Sequence, residues 1–102
     1  MATLTYVYNH HERELASRLT QVQHEHHDLT MSTTHVHLDH DNCMETAVLR
    51  GTVEQVEDLA NAIISQPGVR HGQLYLLPVQ VEQHRHAHGH HSHSHTHIKP
   101  LT

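Results

Sequence analysis

Phenylalanine and tryptophan are absent from this chain of 102 residues, and tyrosine occurs only three times. The core must therefore be built from Leu, Val and Ile, which limits how much apolar area each side chain can bury. Only six residues are Lys or Arg, and they form no basic stripe, so the chain lacks the electrostatic footprint of a protein that binds nucleic acid directly. A single cysteine, Cys43, excludes an intrachain disulfide and fits a reducing compartment. A charged, then apolar leader is missing from the start, and apolar runs long enough to span a bilayer are missing throughout. Together these point to a cytoplasmic chain with no membrane span.

Histidine is abundant: there are 17, more than the 11 Asp and Glu combined. Imidazole is the commonest protein metal ligand, and it is the side chain that titrates nearest neutral pH. The formal charge of -5 counts histidine as neutral, so mild acidification would make the chain positive.

The chain divides in two. Residues 1–80 carry patterned apolar positions, whereas residues 81–102 carry almost none. Thr3-Leu4-Thr5-Tyr6-Val7-Tyr8 is β-branched and aromatic and predicts a strand. Leu15, Leu19 and Val22 recur at helical spacing, predicting a helix from His10 to about Gln23 with Glu12 and Glu14 in its first turn. Leu29 to Leu38 predicts a second strand with Met31, Thr33, His35 and His37 on one face. Asp39-His40-Asp41-Asn42 is a turn-like cluster, and Cys43 to Leu49 a third strand. Thr52 with Gln55 forms a capping box ahead of a second helix marked by Val53, Val56, Leu59, Ala60 and Ile63. A fourth strand runs from His71 to Leu77. The order βαββαβ predicts an α+β, ferredoxin-like sandwich: an antiparallel sheet with both helices on one face.

In the second part, His84, His86, His88, His90, His91, His93, His95 and His97 alternate mostly with small residues. A purification tag would be an uninterrupted run. This segment is irregular and continues into Ile98-Lys99-Pro100-Leu101-Thr102, so it reads as native. With nothing apolar to bury, it is expected to lack order without metal.

His35 and His37 are one residue apart on a strand, which puts both on the same face at a spacing two imidazoles can share around one ion. Cys43 opens the next strand, so antiparallel pairing can bring its sulfur alongside, with a histidine from His24, His26 and His27 completing the set. Thiolate with imidazole selects borderline or soft ions such as nickel, copper, zinc or cobalt. Read singly, an HxH pair is solvent-exposed decoration, a free Cys a small core residue, and histidines at a helix end a polar cap for its carbonyls. Their conjunction is what favours a metal site.

The segments Gln23-His24-Glu25-His26-His27-Asp28-Leu29, His35-Val36-His37, His40-Asp41-Asn42-Cys43 and Ala47-Val48-Leu49-Arg50-Gly51 resemble the C-terminal metal-binding domain of NikR-type nickel-responsive regulators. Tyr6-Val7-Tyr8, Leu15-Ala16-Ser17-Arg18 and Gly68-Val69-Arg70-His71-Gly72 extend the resemblance over residues 3–78. It implies an ACT-like domain that assembles as a homotetramer with square-planar nickel between subunits. His35, His37 and Cys43 would bind from one subunit and His24 from a neighbour, with Glu45 and Tyr8 close beside them. Ni(II) is the implied ion, with Cu(II) or Zn(II) able to replace it in vitro. His26, His27, His40 and the tail histidines are candidates for further, weaker binding.

The sequence departs from that family in two respects. The ribbon-helix-helix DNA-binding segment has no counterpart here, so direct repression is not expected. The histidine-rich tail is an addition resembling those of nickel storage and delivery proteins. The expected function is thus nickel storage, buffering or delivery, handing the ion to a recipient or transporter protein. The alternative is a nickel-responsive regulatory subunit acting through a separate DNA-binding or transporter partner. Signatures of a catalytic triad, a phosphate loop or paired catalytic carboxylates are lacking, so an enzyme is not expected.

Overall fold

The computed structural model describes residues 1–88 and 91–101. Its elements are β1 (Ala2–Asn9), α1 (Arg13–Glu25), β2 (Thr30–His37), β3 (Asn42–Leu49), α2 (Val53–Ile64), β4 (Arg70–Leu76), β5 (Val79–His88) and β6 (His91–Pro100). The first six give the expected βαββαβ order. They build a four-stranded sheet in the order β2-β3-β1-β4, with each neighbouring pair antiparallel.

Alternation along β1 and β3 divides the sheet into two faces. Ala2, Leu4, Tyr6 and Tyr8 of β1 are buried, as are Cys43, Glu45, Ala47 and Leu49 of β3. They join Leu15 and Leu19 of α1 and Val56, Leu59, Ala60 and Ile63 of α2 in one apolar cluster. The helices therefore cover a single face. Strand β2 is the edge of the sheet, and its residues from Met31 to His37 are all exposed. That exposure decides where a ligand or a second chain can approach.

The capping box of α2 is present: the Gln55 N–H donates to Thr52 Oγ1 at 3.1 Å, and the Thr52 N–H donates to Gln55 Oε1 at 3.0 Å. The start of α1 differs from expectation. The Glu12 N–H bonds to the Asn9 carbonyl, closing a turn over His10 and His11, so the helix begins at Arg13 and Glu12 sits at its N-cap. Its far end reaches Glu25, which places His24 in the last helical turn rather than beyond it.

The tail follows as a separate element pair. β5 and β6 pair antiparallel in a separate two-stranded sheet, with Val79 opposite Pro100 and Val81 opposite Ile98 at its base. Two features favour this: the two-residue repeat of the histidines is the repeat of a strand, and ladder pairing satisfies backbone groups without an apolar face.

Candidate metal centre

The register between β2 and β3 sets His37 directly opposite Cys43 and His35 opposite Glu45. Glu45 and Cys43 belong to the helix-covered face, so His35 and His37 stand on that same face, at the uncovered edge. β1 adds Tyr8 opposite Cys43 and Tyr6 opposite Glu45. Six chemically active residues thus form a 2 × 3 array fixed by backbone pairing alone.

Glu45 is the hub of that array. It is a carboxylate only 5% exposed, and such a group is tolerable in a core only when hydrogen-bonded. Tyr6 Oη donates to Glu45 Oε2, and Gln23 Nε2 reaches Glu45 Oε1 at 3.3 Å and Tyr6 Oη at 2.8 Å. His35 Nε2 lies 3.3 Å from Glu45 Oε2 and 3.2 Å from Tyr8 Oη. His35 thus turns Nε2 toward both the Glu45 carboxylate and the Tyr8 hydroxyl, which together set the orientation of its ring. A carboxylate that orients an imidazole in this way also makes it a better metal donor.

Both buried tyrosines stay protonated. Burial, reinforced by Glu45, pushes the Tyr6 hydroxyl far above its usual range. Burial, then Glu45 and Cys43, push the Tyr8 hydroxyl up to about 12. Tyr8 accordingly stands between Cys43 and His35 as a neutral hydroxyl.

His35, His37 and Cys43 share one patch of the sheet, but their donor atoms are not drawn into a tight cluster. His35 is held by Glu45 and Tyr8, and the His37 ring packs edge-on against His10 at 5.0 Å. Cys43 is 1% exposed. Two imidazoles and a thiol are nonetheless a donor set suited to a borderline ion, and both histidines are exposed on the edge strand. His24 is exposed on α1, with its ring stacked on that of His27 at 6.2 Å.

The remaining candidates divide clearly. His26 Nδ1 bonds to the Val22 carbonyl at 2.9 Å and His27 Nδ1 to the His24 carbonyl at 3.2 Å, so each spends a ring nitrogen on the end of α1. His40 joins His11 and Asp41 at the opposite turn. In the tail, His90 lies outside the described residues. Of the other seven histidines the structure describes the backbone, where His84 faces His95, His86 faces His93 and His88 faces His91.

A family model described as the NikR C-terminal nickel-binding domain matches residues 1–77. The chain belongs to the NikR C-terminal nickel-binding domain family. The match covers the whole four-stranded sandwich, so this NikR-type domain is a nickel-binding unit, and its βαββαβ order is that of the ACT-like fold. Solved structures agree on the fold alone. Uncharacterized protein TM1266 from Thermotoga maritima aligns with a TM-score of 0.65 at 15% identity, over 72% of this chain and 91% of that one. The C-terminal domain of the MgtC protein from Mycobacterium tuberculosis aligns with a TM-score of 0.53 at 20% identity, over 72% and 83%.

Sequence reasoning named Glu45 and Tyr8 but missed Tyr6 and Gln23, which hold Glu45 in place. Tyr6 was detectable in principle: it shares the buried parity of Tyr8 on β1. Gln23 depends on where α1 crosses the sheet, which no local pattern encodes. Among the described residues, no helix is long and apolar enough to cross a membrane.

Proposed function

We propose that this chain stores, buffers or delivers nickel, holding one ion tightly at a site made by His35, His37 and Cys43 with His24 of a neighbouring subunit. The observation that carries this reading is the register that puts His37 opposite Cys43 and His35 opposite Glu45 on an uncovered edge strand. His24 is exposed on α1 and would supply the fourth donor from another copy. A planar set of three nitrogens and one sulfur suits d⁸ nickel(II), although copper(II) would bind at least as tightly by intrinsic affinity. Nickel supplies no redox or hydrolytic step in this scheme. The protein's residues bind and orient it, Glu45 by fixing His35 and Tyr8 by covering the sulfur. The histidine tail adds several weaker positions and a high local concentration of imidazole for exchange.

Titration of the nickel-free chain with nickel chloride tests this, followed by the sulfur-to-metal charge-transfer band in the near ultraviolet. Cys43→Ser should abolish the band, and His24→Ala should weaken binding as much as His37→Ala. Mixing the Cys43→Ser and His24→Ala chains should restore part of the signal, because some interfaces then carry a complete ligand set. Wild-type affinity in His24→Ala would sink the intersubunit assignment. Shortening the chain at Val79 should lower total nickel stoichiometry while keeping the band, and unchanged stoichiometry would remove the reservoir.

A further inference from the structure

The tail histidines change phase once along the sequence. His84, His86 and His88 stand at even positions, whereas His91, His93, His95 and His97 stand at odd ones. In an antiparallel ribbon the register decides what that change does, because residues directly opposite share a face, as do alternate residues along a strand. Here each even position of β5 pairs with an odd position of β6: His84 with His95, His86 with His93, His88 with His91 and Glu82 with His97. All seven of these histidines, with Glu82, therefore fall on one face of the ribbon. The other face takes Gln83 opposite Thr96, Arg85 opposite Ser94 and Ala87 opposite Ser92, and no histidine among the described residues. A repeat that kept its phase through both strands would have split the histidines between the two faces.

The register is set at the base of the ribbon. Val79 pairs with Pro100 and Val81 with Ile98, and the Leu101 N–H donates to the Pro78 carbonyl at 3.1 Å. A slip of one residue would move every histidine of one strand to the opposite face, so the pairing at the base decides that the histidines above it are one-sided. Directly opposite positions lie about 5 Å apart, and successive positions on one face of a strand about 7 Å apart. Two neighbouring rungs thus bring four donor-bearing residues around a space that one ion, with ligands at about 2 Å, can fill.

We propose that the ribbon is a metal ladder holding two divalent transition-metal ions, each between two neighbouring rungs. His86, His93, His88 and His91 hold one ion, and Glu82, His97, His84 and His95 hold the other. Imidazole with at most one carboxylate selects borderline ions such as nickel(II), copper(II) or zinc(II) over magnesium or calcium. Each ion ties β5 to β6, and a two-stranded ribbon is marginally stable by itself, so metal loading and strand pairing reinforce each other. The ladder gives a structure to the reservoir in the proposed function and rests on that part of it; the tight site with Cys43 is not needed.

The test keeps composition constant and moves only the phase. In a first full-length variant, His91→Ser, Ser92→His, His93→Ser, Ser94→His, His95→Thr and Thr96→His shift the β6 histidines by one position, so that none faces a histidine of β5. A second variant adds His84→Arg, Arg85→His, His86→Ala and Ala87→His, which restores two neighbouring histidine rungs on the other face. Equilibrium dialysis against nickel chloride counts the ions bound per chain, beside the chain shortened at Val79. The parent should bind two ions more than the shortened chain. The first variant should hold them about tenfold or more weakly, with two imidazoles of one strand in place of four. The second should regain one of the two at the parent's affinity. Parent and first variant alike in number and affinity, both above the shortened chain, would leave a reservoir indifferent to register and overturn the ladder. A loss in the first variant that the second does not recover would overturn it as well. Parent and shortened chain alike would remove the reservoir and the ladder together, whereas a parent without the charge-transfer band contradicts the Cys43 site and leaves the dialysis to decide the ladder.

Discussion

Asp39 shows how one residue sets the geometry of a loop. Hydrogen bonds from the Asn42 side chain and from the Asn42 and Asp41 backbone N–H groups hold its carboxyl down to about 2. A carboxylate depressed in the folded state contributes stability that is fully present above its unfolded value, near 4, and is lost as pH falls through the folded value. The 38–42 turn should therefore loosen between about pH 4 and pH 2, ahead of any change that the core itself undergoes. Amide chemical shifts of Asp41 and Asn42 followed through that window would report it, and Asp39→Asn should flatten the dependence. Shifts that are already constant in the parent would show that Asp39 does not organise the loop. His10 follows the same sign: burial and the neighbouring His11 and His37 rings lower its value, favouring the neutral ring in the folded chain. At this scale the sequence was informative about residue types and weak about partners. The DHDN cluster read correctly as a turn, yet His11 and Asp41 were not recognised as neighbours, because the contact depends on β1 and β3 ending together.

Elements with chemical punctuation at their ends were legible in detail. Thr52 and Gln55 marked the start of α2, and both hydrogen bonds of the box are present. Thr52→Ala leaves the Gln55 N–H without its acceptor, which should cost about 1 kcal/mol of stability. Urea denaturation would measure it; a midpoint unchanged from the parent would mean that water replaces the cap without loss. The helix α1 has no such marker. Its N-cap Glu12 makes no side-chain cap bond, so apolar spacing alone could not say that His10 and His11 belong to a turn. The end of α2 depends on backbone conformation instead. Gly68 has φ 96°, a left-handed geometry open to glycine, and lets the chain reverse before β4. In the tail, the period-two repeat and the apolar residues Val79, Val81 and Ile98 at the base agree with the pairing of β5 and β6.

At the scale of the whole molecule, the sandwich covers one face of its sheet and leaves the other open. Register places Val7 opposite Met44 and Val36 opposite Met44, so three apolar residues cross β1, β3 and β2 in one row on the face away from the helices. Beyond the neighbouring threonine row, where Thr5 and Thr46 hydroxyls lie 3.1 Å apart, Val48 and Tyr75 flank Thr3 in a second row. Two apolar rows on an uncovered sheet are a surface that a second copy would bury, and the proposed site needs a second copy to supply His24. Assembly and metal affinity should then be linked: any free energy that nickel gains by bridging subunits also stabilises the oligomer. Met44→Lys puts a charge at the centre of the first row without emptying the core, so the single chain should keep its fold. Sedimentation should show a smaller species, and the nickel titration should show loss of the charge-transfer band at low protein concentration, with recovery as concentration rises. An unchanged sedimentation coefficient would place the interface elsewhere, leaving the exposed edge strand β2, with Met31 and Leu38 beside His35 and His37, as the surface on which His24 of another copy would have to arrive.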